Sequence, residues 1–279
     1  MKNIKNFSLA VLAVLALSVG AFASENKTVK IGVAPGPYGD LVKLAIQPSL
    51  EKQGWKVEVV QFQDWVQPDL ALGNGEIDAN VFQHSLYLKK FSDDHKLNLS
   101  PIISIPTAGL GLYSETIKSL DELKKGDEVT LSQDPTNLAR SLRFLQAVGL
   151  IKIKADIDPT KATEKDIVEN PHGLKFTPTE AAQLPRTLKG VALSVVPGNY
   201  AIASGLKLSS ALALEQLTEP IKIVVAIQTK DLQKPFVQAI RTAVKSKGFH
   251  DVVADPANNF DAFQVPDWYA KQWKAKKAK

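Results

Sequence analysis

Residues 64–91 read DWVQPDLALGNGEIDANVFQHSLYLKKF. Asp64 and Trp65 open a polar-aromatic turn, residues 66–72 have helical spacing, and Gly73-Asn74-Gly75 ends that helix. Residues 79–82 form a short apolar strand, and residues 85–95 return to helical spacing. A strand set between two helices is the repeating unit of an α/β protein, so this stretch decides the fold class. Phe82 and His84 close the strand and, with Trp65, are candidates for one wall of a small-molecule cleft. No nucleophile, base or metal-ligand set stands beside them, which points to a chain that holds a ligand rather than transforms it.

The alternation continues outward in both directions. Upstream, 28–34 (TVKIGVA) is a first strand, 35–39 (PGPYG) a turn, 40–52 a helix and 56–62 (KVEVVQF) a second strand. Downstream, 99–114 is apolar and rich in Gly and Pro, and reads as a strand crossing between two lobes. A short helix capped by Ser119 follows, then a strand over 128–132 and a helix over 138–148 opened by Asp134-Pro135. Short helices at 163–168 and 179–184, strands at 191–196 and 221–227, and a helix over 234–247 complete the pattern. The expected organisation is lobe 1 over 28–108, lobe 2 over 109–220, a return to lobe 1 over 221–256 and a basic extension over 257–279. Ligands of such folds bind between the lobes.

Composition sets the class. The 279 residues suffice for two lobes with real cores, and 44% hydrophobic with 23% charged is ordinary for a globular protein. The net charge is +5, or +3 without Lys2 and Lys5, too mild to argue for nucleic acid. Residues 1–23 read as an export signal: a basic start, an apolar run over 9–19 and the Ala21-Phe22-Ala23 cleavage site. That run is short for a membrane span. There is no cysteine, which excludes thiol chemistry and thiolate metal sites and sets the expectation of a periplasmic protein, cleaved after Ala23, without a lipid anchor.

Arg140 is the leading candidate for ligand chemistry. It lies in the first turns of the helix opened by Asp134-Pro135, where free N–H groups and the helix dipole favour anions. Its planar fork suits a carboxylate. Leu138, Leu142 and Leu145 form the buried stripe and Arg140 points away from it, which fits either a solvated arginine or a ligand anchor. Asn199 follows Gly198 in a tight turn, and Asn137 sits at the helix start; each fits a ligand contact or turn geometry alone. The four histidines have no metal-ligand spacing, and no metal or cofactor is expected. The dinucleotide fingerprint, phosphate loop, GxSxG elbow and calcium loop are all missing.

Further blocks accompany these: Ile31-Gly32-Val33 with its Pro/Gly turn, Gly75-Glu76-Ile77-Asp78-Ala79-Asn80, Phe82-Gln83-His84, residues 118–123 (KSLDEL), Asp134-Pro135-Thr136-Asn137-Leu138, residues 166–171 (DIVENP) and residues 180–186 (EAAQLPR). In this order, over residues 29–249, the chain resembles the methionine-binding family of ABC-importer substrate-binding proteins. The resemblance implies a type II periplasmic-binding-protein fold, two α/β lobes joined by two crossings with the ligand cleft between them. It implies lobe closure on L-methionine or a similar small molecule, delivery to an ABC permease in the inner membrane, and a monomer that is not an enzyme. In this frame Arg140 grips the ligand carboxylate, and Asn137 and Asn199 position its backbone. Trp65, Phe82, His84 and Tyr113 wall the side-chain pocket. Trp65 stands in place of the usual tyrosine, Ala108 where relatives place an aromatic, and Val224 near where methionine binders carry an asparagine. These departures leave open another amino acid, a dipeptide or an organosulfur anion.

Overall fold

The computed structural model describes residues 27–158, 160–260 and 262–274. The expected export signal and its cleavage site lie outside them. The chain runs β1 (Thr28–Val33), α1 (Pro37–Leu41), α2 (Gln47–Glu51), β2 (Lys56–Gln61), α3 (Gln67–Asn74), β3 (Ala79–His84), α4 (Ser85–His95) and β4 (Leu99–Ser104). It continues as β5 (Gly111–Tyr113), β6 (Glu128–Ser132), α5 (Pro135–Ala147), β7 (Lys152–Ile153), β8 (Ile167–Glu169), β9 (Lys175–Thr179), α6 (Leu184–Thr187), β10 (Leu193–Val196), α7 (Gly198–Ala203) and β11 (Ala213–Leu214). It closes with β12 (Ile223–Gln228), α8 (Pro235–Val244), α9 (Lys247–Ala254) and α10 (Asp267–Tyr269).

Two five-stranded sheets organise the molecule, one per lobe. Lobe 1 has the order β2-β1-β3-β12-β4 and lobe 2 the order β11-β5-β10-β6-β9. In lobe 1, β1 pairs parallel with β2 and β3, while β12 runs antiparallel between β3 and β4. The strand expected over 99–114 is therefore two strands in two sheets, β4 and β5, and the segment between them is the first crossing. The segment between β11 and β12 is the second. Two α/β lobes with two crossings are the type II architecture.

Local chemistry explains the elements that carry the site. Asp64 Oδ1 accepts from the N–H groups of Val66 and Gln67 at 2.7 and 2.8 Å, which fixes the loop holding Trp65 and starts α3. Gly75, with φ +78°, ends α3 in the left-handed turn that glycine favours. On α5 the Asp134 carboxylate caps the Asn137 N–H at 3.0 Å, and Leu138, Leu142 and Leu145 pack into the core of lobe 2. Strand β3 carries a bulge: from Val81 to His84 it takes three steps where β12 takes two, from Val225 to Ile223. Bulges re-aim side chains. Gln83 accordingly hydrogen-bonds Asn80 Oδ1 at 3.1 Å and Asp69 Oδ1 at 2.5 Å, and all three side chains are buried.

Several parts of the structure depart from the sequence reading. β7, β8, β9 and β11 lie where no strand is expected, and β9 is the longest of them. It is an edge strand with one paired neighbour, and its KFTPT sequence is mostly exposed, so it lacks the apolar alternation that marks a buried strand. The residues expected as a basic extension from 257 onward also contribute to lobe 1. Phe260, Phe263 and Tyr269 are buried in its core, and Trp268 and Trp273 pack against it. Well-spaced aromatics in a polar sequence have no helical or strand period, so pattern alone does not reveal them.

Candidate ligand-binding site

A cavity lies where the lobes meet at the two crossings. Lobe 1 supplies Tyr38, Trp65, Phe82, Gln83, His84, Tyr87 and Ile223; the first crossing supplies Thr107 and Ala108. Lobe 2 supplies Asn137, Arg140, Pro197, Gly198 and Asn199. Direct contacts span the lobes. His84 Nε2 bonds Asn137 Oδ1 at 3.2 Å, Asn199 Nδ2 donates to the Pro35 carbonyl at 3.2 Å, and the Trp65 ring stacks on Tyr200 with centroids 5.0 Å apart. Close backbone approach requires glycine at two points. A Cβ on Gly198 would lie 2.5 Å from the Ala108 Cβ, and one on Gly36, where φ is +118°, would lie 2.8 Å from the Asn199 carbonyl oxygen.

Arg140 reaches the cavity wall, and its side chain is only 11% exposed. One edge of its fork is already used. Nε and Nη2 bind Glu215 Oε1 and Oε2 at 2.9 and 2.6 Å, a bidentate pair. Nη1 bonds Asn137 Oδ1 at 3.4 Å. A solvated arginine does not describe this. Arg140 is held from behind by a carboxylate on the second crossing, 75 residues away in sequence.

Asn137 is largely committed inside the protein. Its amide nitrogen donates to the Asp134 carboxylate at 3.1 Å, and its oxygen takes both the Arg140 and the His84 contacts. His84 has a defined tautomer. Its Nδ1 accepts the Tyr87 N–H at 3.1 Å, capping α4, so Nε2 carries the proton and donates to Asn137. Burial, aided by the nearby Arg140 charge, pushes the His84 pKa down to about 3, against the Asn137 hydrogen bond, so the ring is neutral at ordinary pH.

The aromatic wall is Trp65, Phe82 and Tyr87, in edge-on contact with centroids 6.2–6.3 Å apart. The structure does not bring Tyr113 to this cavity. Strand β5 pairs with β10, and Tyr113 packs in a separate lobe 2 cluster with Leu184 and Tyr200. Tyr38, Tyr87, Gln83 and Ile223 line the cavity and are absent from the sequence candidates. Tyr38 and Gln83 lie inside motifs quoted above, but motif membership does not say which way a side chain faces. Ile223, not Val224, is the residue of the last strand that reaches the cavity; neighbours on a strand face opposite sides, and Val224 packs into a different cluster. Two buried polar atoms on the cavity walls have no hydrogen-bond partner in the structure: the Trp65 indole N–H and the Gln83 side-chain oxygen. Ligands commonly satisfy such groups.

The cavity thus offers a guanidinium whose second edge makes only a 3.4 Å contact to Asn137, an unpartnered acceptor, an unpartnered donor and an apolar aromatic wall. Comparison with known proteins gives this arrangement a context. A D-methionine-binding lipoprotein MetQ from Yersinia pestis is 37% identical over 278 residues, covering 96% of this chain and 98% of that protein. A nutrient-binding protein from Burkholderia cenocepacia, solved bound to methionine, superposes with a TM-score of 0.79 at 35% identity, covering 84% of this chain and 97% of that one. An ABC-transporter periplasmic substrate-binding protein from Coxiella burnetii gives a TM-score of 0.80 at 33% identity, covering 85% of this chain and 100% of that one. The family is one of substrate-binding proteins rather than enzymes.

One expectation is corrected by these findings. The reading of the chain as having no lipid anchor rested on an absence, the lack of cysteine. The matched family is a lipoprotein family, and the Yersinia pestis relative is named a lipoprotein. A periplasmic location is consistent with both. The family model for NlpA lipoprotein matches residues 29–268, nearly all of the described chain, and the chain belongs to that family.

Proposed function

We propose that this protein is the periplasmic receptor of an ABC importer and that it holds methionine or a closely related amino acid between its lobes. The observation that carries the proposal is the Arg140 guanidinium on the cavity wall beside an aromatic pocket, where the edge not held by Glu215 has only a 3.4 Å contact to Asn137. The ligand carboxylate meets that edge. Its ammonium finds the Gln83 side-chain oxygen, and its side chain lies against Phe82, Tyr87, Trp65 and Ile223. His84, Asn137 and Asn199 join the lobes around it, and Asn137 also steadies Arg140. Closure removes water and strengthens each polar contact. The closed monomer then presents both lobes to a permease in the inner membrane.

Calorimetric titration with D- and L-methionine and the other amino acids tests this. Binding of methionine or a near relative supports the proposal; failure of every amino acid to bind refutes it. A second reading keeps the fold and changes the ligand. It is favoured by the lobe-joining wall itself, where Ile223 is apolar and Pro197 has no N–H to donate. A dipeptide or an organosulfur anion giving a larger heat than methionine would select that reading.

A further inference from the structure

Glu215 does not line the cavity beside Trp65 and Phe82; with Arg140 it lines a neighbouring pocket between α5 and the second crossing, and it is tightly constrained there. Its carboxylate takes two bonds from Arg140 and one from the Leu110 N–H at 2.9 Å. Its own N–H donates to the Leu110 carbonyl at 2.9 Å, and its carbonyl accepts from the Gln264 amide at 2.6 Å. Leu110 is on the first crossing, and Glu215 begins the second. Gln264, from the segment before α10, pairs with Thr107 on the first crossing and also accepts the Leu217 N–H at 2.8 Å. Glu215 is therefore clamped from three directions, and its side chain is 8% exposed. A carboxylate held this way is committed to Arg140 and to the Leu110 N–H. It is a fixed negative charge directly behind the arginine that faces the ligand.

We infer that Glu215 is a specificity-determining residue: by balancing Arg140 from behind, it makes the cavity select zwitterions over simple anions. The inference rests on the amino-acid reading of the cavity. Arg140 alone would be an anion trap. With Glu215 in place, the Arg140–Glu215 pair sums to no net charge, and among the cavity-lining residues His84 stays neutral while Tyr38 and Tyr87 keep their protons. A ligand carboxylate on the second edge of Arg140 gains that attraction and meets repulsion from Glu215. An α-ammonium on the same ligand cancels the repulsion; a ligand without one does not. Charges some 6 Å apart in a partly buried site at an effective dielectric near 20 interact strongly enough to change affinity roughly tenfold to a hundredfold.

The test is calorimetric titration of the full chain with three compounds: methionine, its deaminated analogue 4-(methylthio)butanoate, and methioninamide. In the wild type methionine binds more tightly than either. In Glu215→Gln the affinity ratio of 4-(methylthio)butanoate to methionine rises about tenfold or more. An unmoved ratio in a variant that still binds methionine overturns the filter and leaves the amino-acid reading standing. If no amino acid binds the wild type, that reading falls and the filter falls with it. If Glu215→Gln does not fold, the wild-type series decides: 4-(methylthio)butanoate binding as tightly as methionine overturns the inference.

Discussion

Removing Arg140 should cost stability as well as binding, and the two losses should separate. In Arg140→Met the Glu215 carboxylate keeps one donor, the Leu110 N–H, at a site only 8% exposed. Breaking a buried ion pair from one side costs about 3–5 kcal/mol, because a charge is left uncompensated. In a protein of this size 1 kcal/mol moves Tm by roughly 2–4 °C, so the single variant should melt about 6–20 °C lower. The double variant Arg140→Met/Glu215→Gln removes both charges and should regain most of that loss, since replacing a buried pair by neutral groups is often near neutral in energy. Ligand affinity should stay lost in the double variant, because the second edge of the guanidinium is gone. Scanning calorimetry of ligand-free protein at pH 7 and titration calorimetry at one temperature read the two effects. A single variant that melts like the wild type would refute the reasoning, since it would mean Glu215 is solvated once released. Retained affinity in the stable double variant would refute Arg140 as the anchor.

Three further outcomes follow from particular residues. Burial raises the Asp69 pKa to about 7, against hydrogen bonds from Asn80 and Gln83. The folded state then holds a proton that the unfolded chain has lost, so this contribution is present below the unfolded pKa and is lost as pH rises from about 4 to 7. Asp69→Asn should raise stability at pH 8, by up to about 4 kcal/mol, and remove that slope in denaturant titrations; an unchanged pH profile would count against it. His84 has the opposite sign: its depressed pKa makes stability fall as pH drops from about 6.5 toward 3. Its ring proton resonances should not move between pH 5 and 8, and a midpoint near 6.5 would show the ring to be solvated. Gly198→Ala places a methyl 2.5 Å from the Ala108 Cβ and 2.6 Å from the Gly109 carbonyl oxygen. It should cost about 1–3 kcal/mol by overpacking and weaken ligand binding, because α7 must back away from the first crossing; wild-type melting and affinity would contradict this.

The two-lobe α/β fold is legible in the sequence because most of its strands and helices carry their own signals. β6 over Glu128–Ser132 and α4 over Ser85–His95 are bounded by caps and turns and fall where the pattern puts them. β9 is not legible, since an exposed edge strand has no apolar face to display. Phe260, Phe263 and Tyr269 are not legible as core, since only the tertiary fold gives them a common surface. The cavity divides in the same way. Trp65, Phe82, His84, Asn137, Arg140 and Asn199 line it, and each sits at or near a turn, helix start or strand end that the sequence shows. Glu215 has no motif, and its role exists only because the second crossing sets it behind a helix 75 residues earlier. Tyr113 lies on β5, which the sequence merges with β4 into one strand, and its ring packs in the lobe 2 cluster with Leu184 and Tyr200. The shift from Val224 to Ile223 is a matter of one residue of strand register, which a β-bulge on the neighbouring strand β3 obscures.

The central claim is that an amino acid is held by its carboxylate at the second edge of Arg140. A crystal structure of the protein with methionine, or with whatever amino acid co-purifies, tests it most directly. The account predicts the carboxylate within hydrogen-bonding distance of the outward guanidinium nitrogens, with the Arg140–Glu215 pair intact behind it and the side chain against Phe82 and Tyr87. A carboxylate that contacts other groups, or a ligand seated outside the cavity between the lobes, would contradict it.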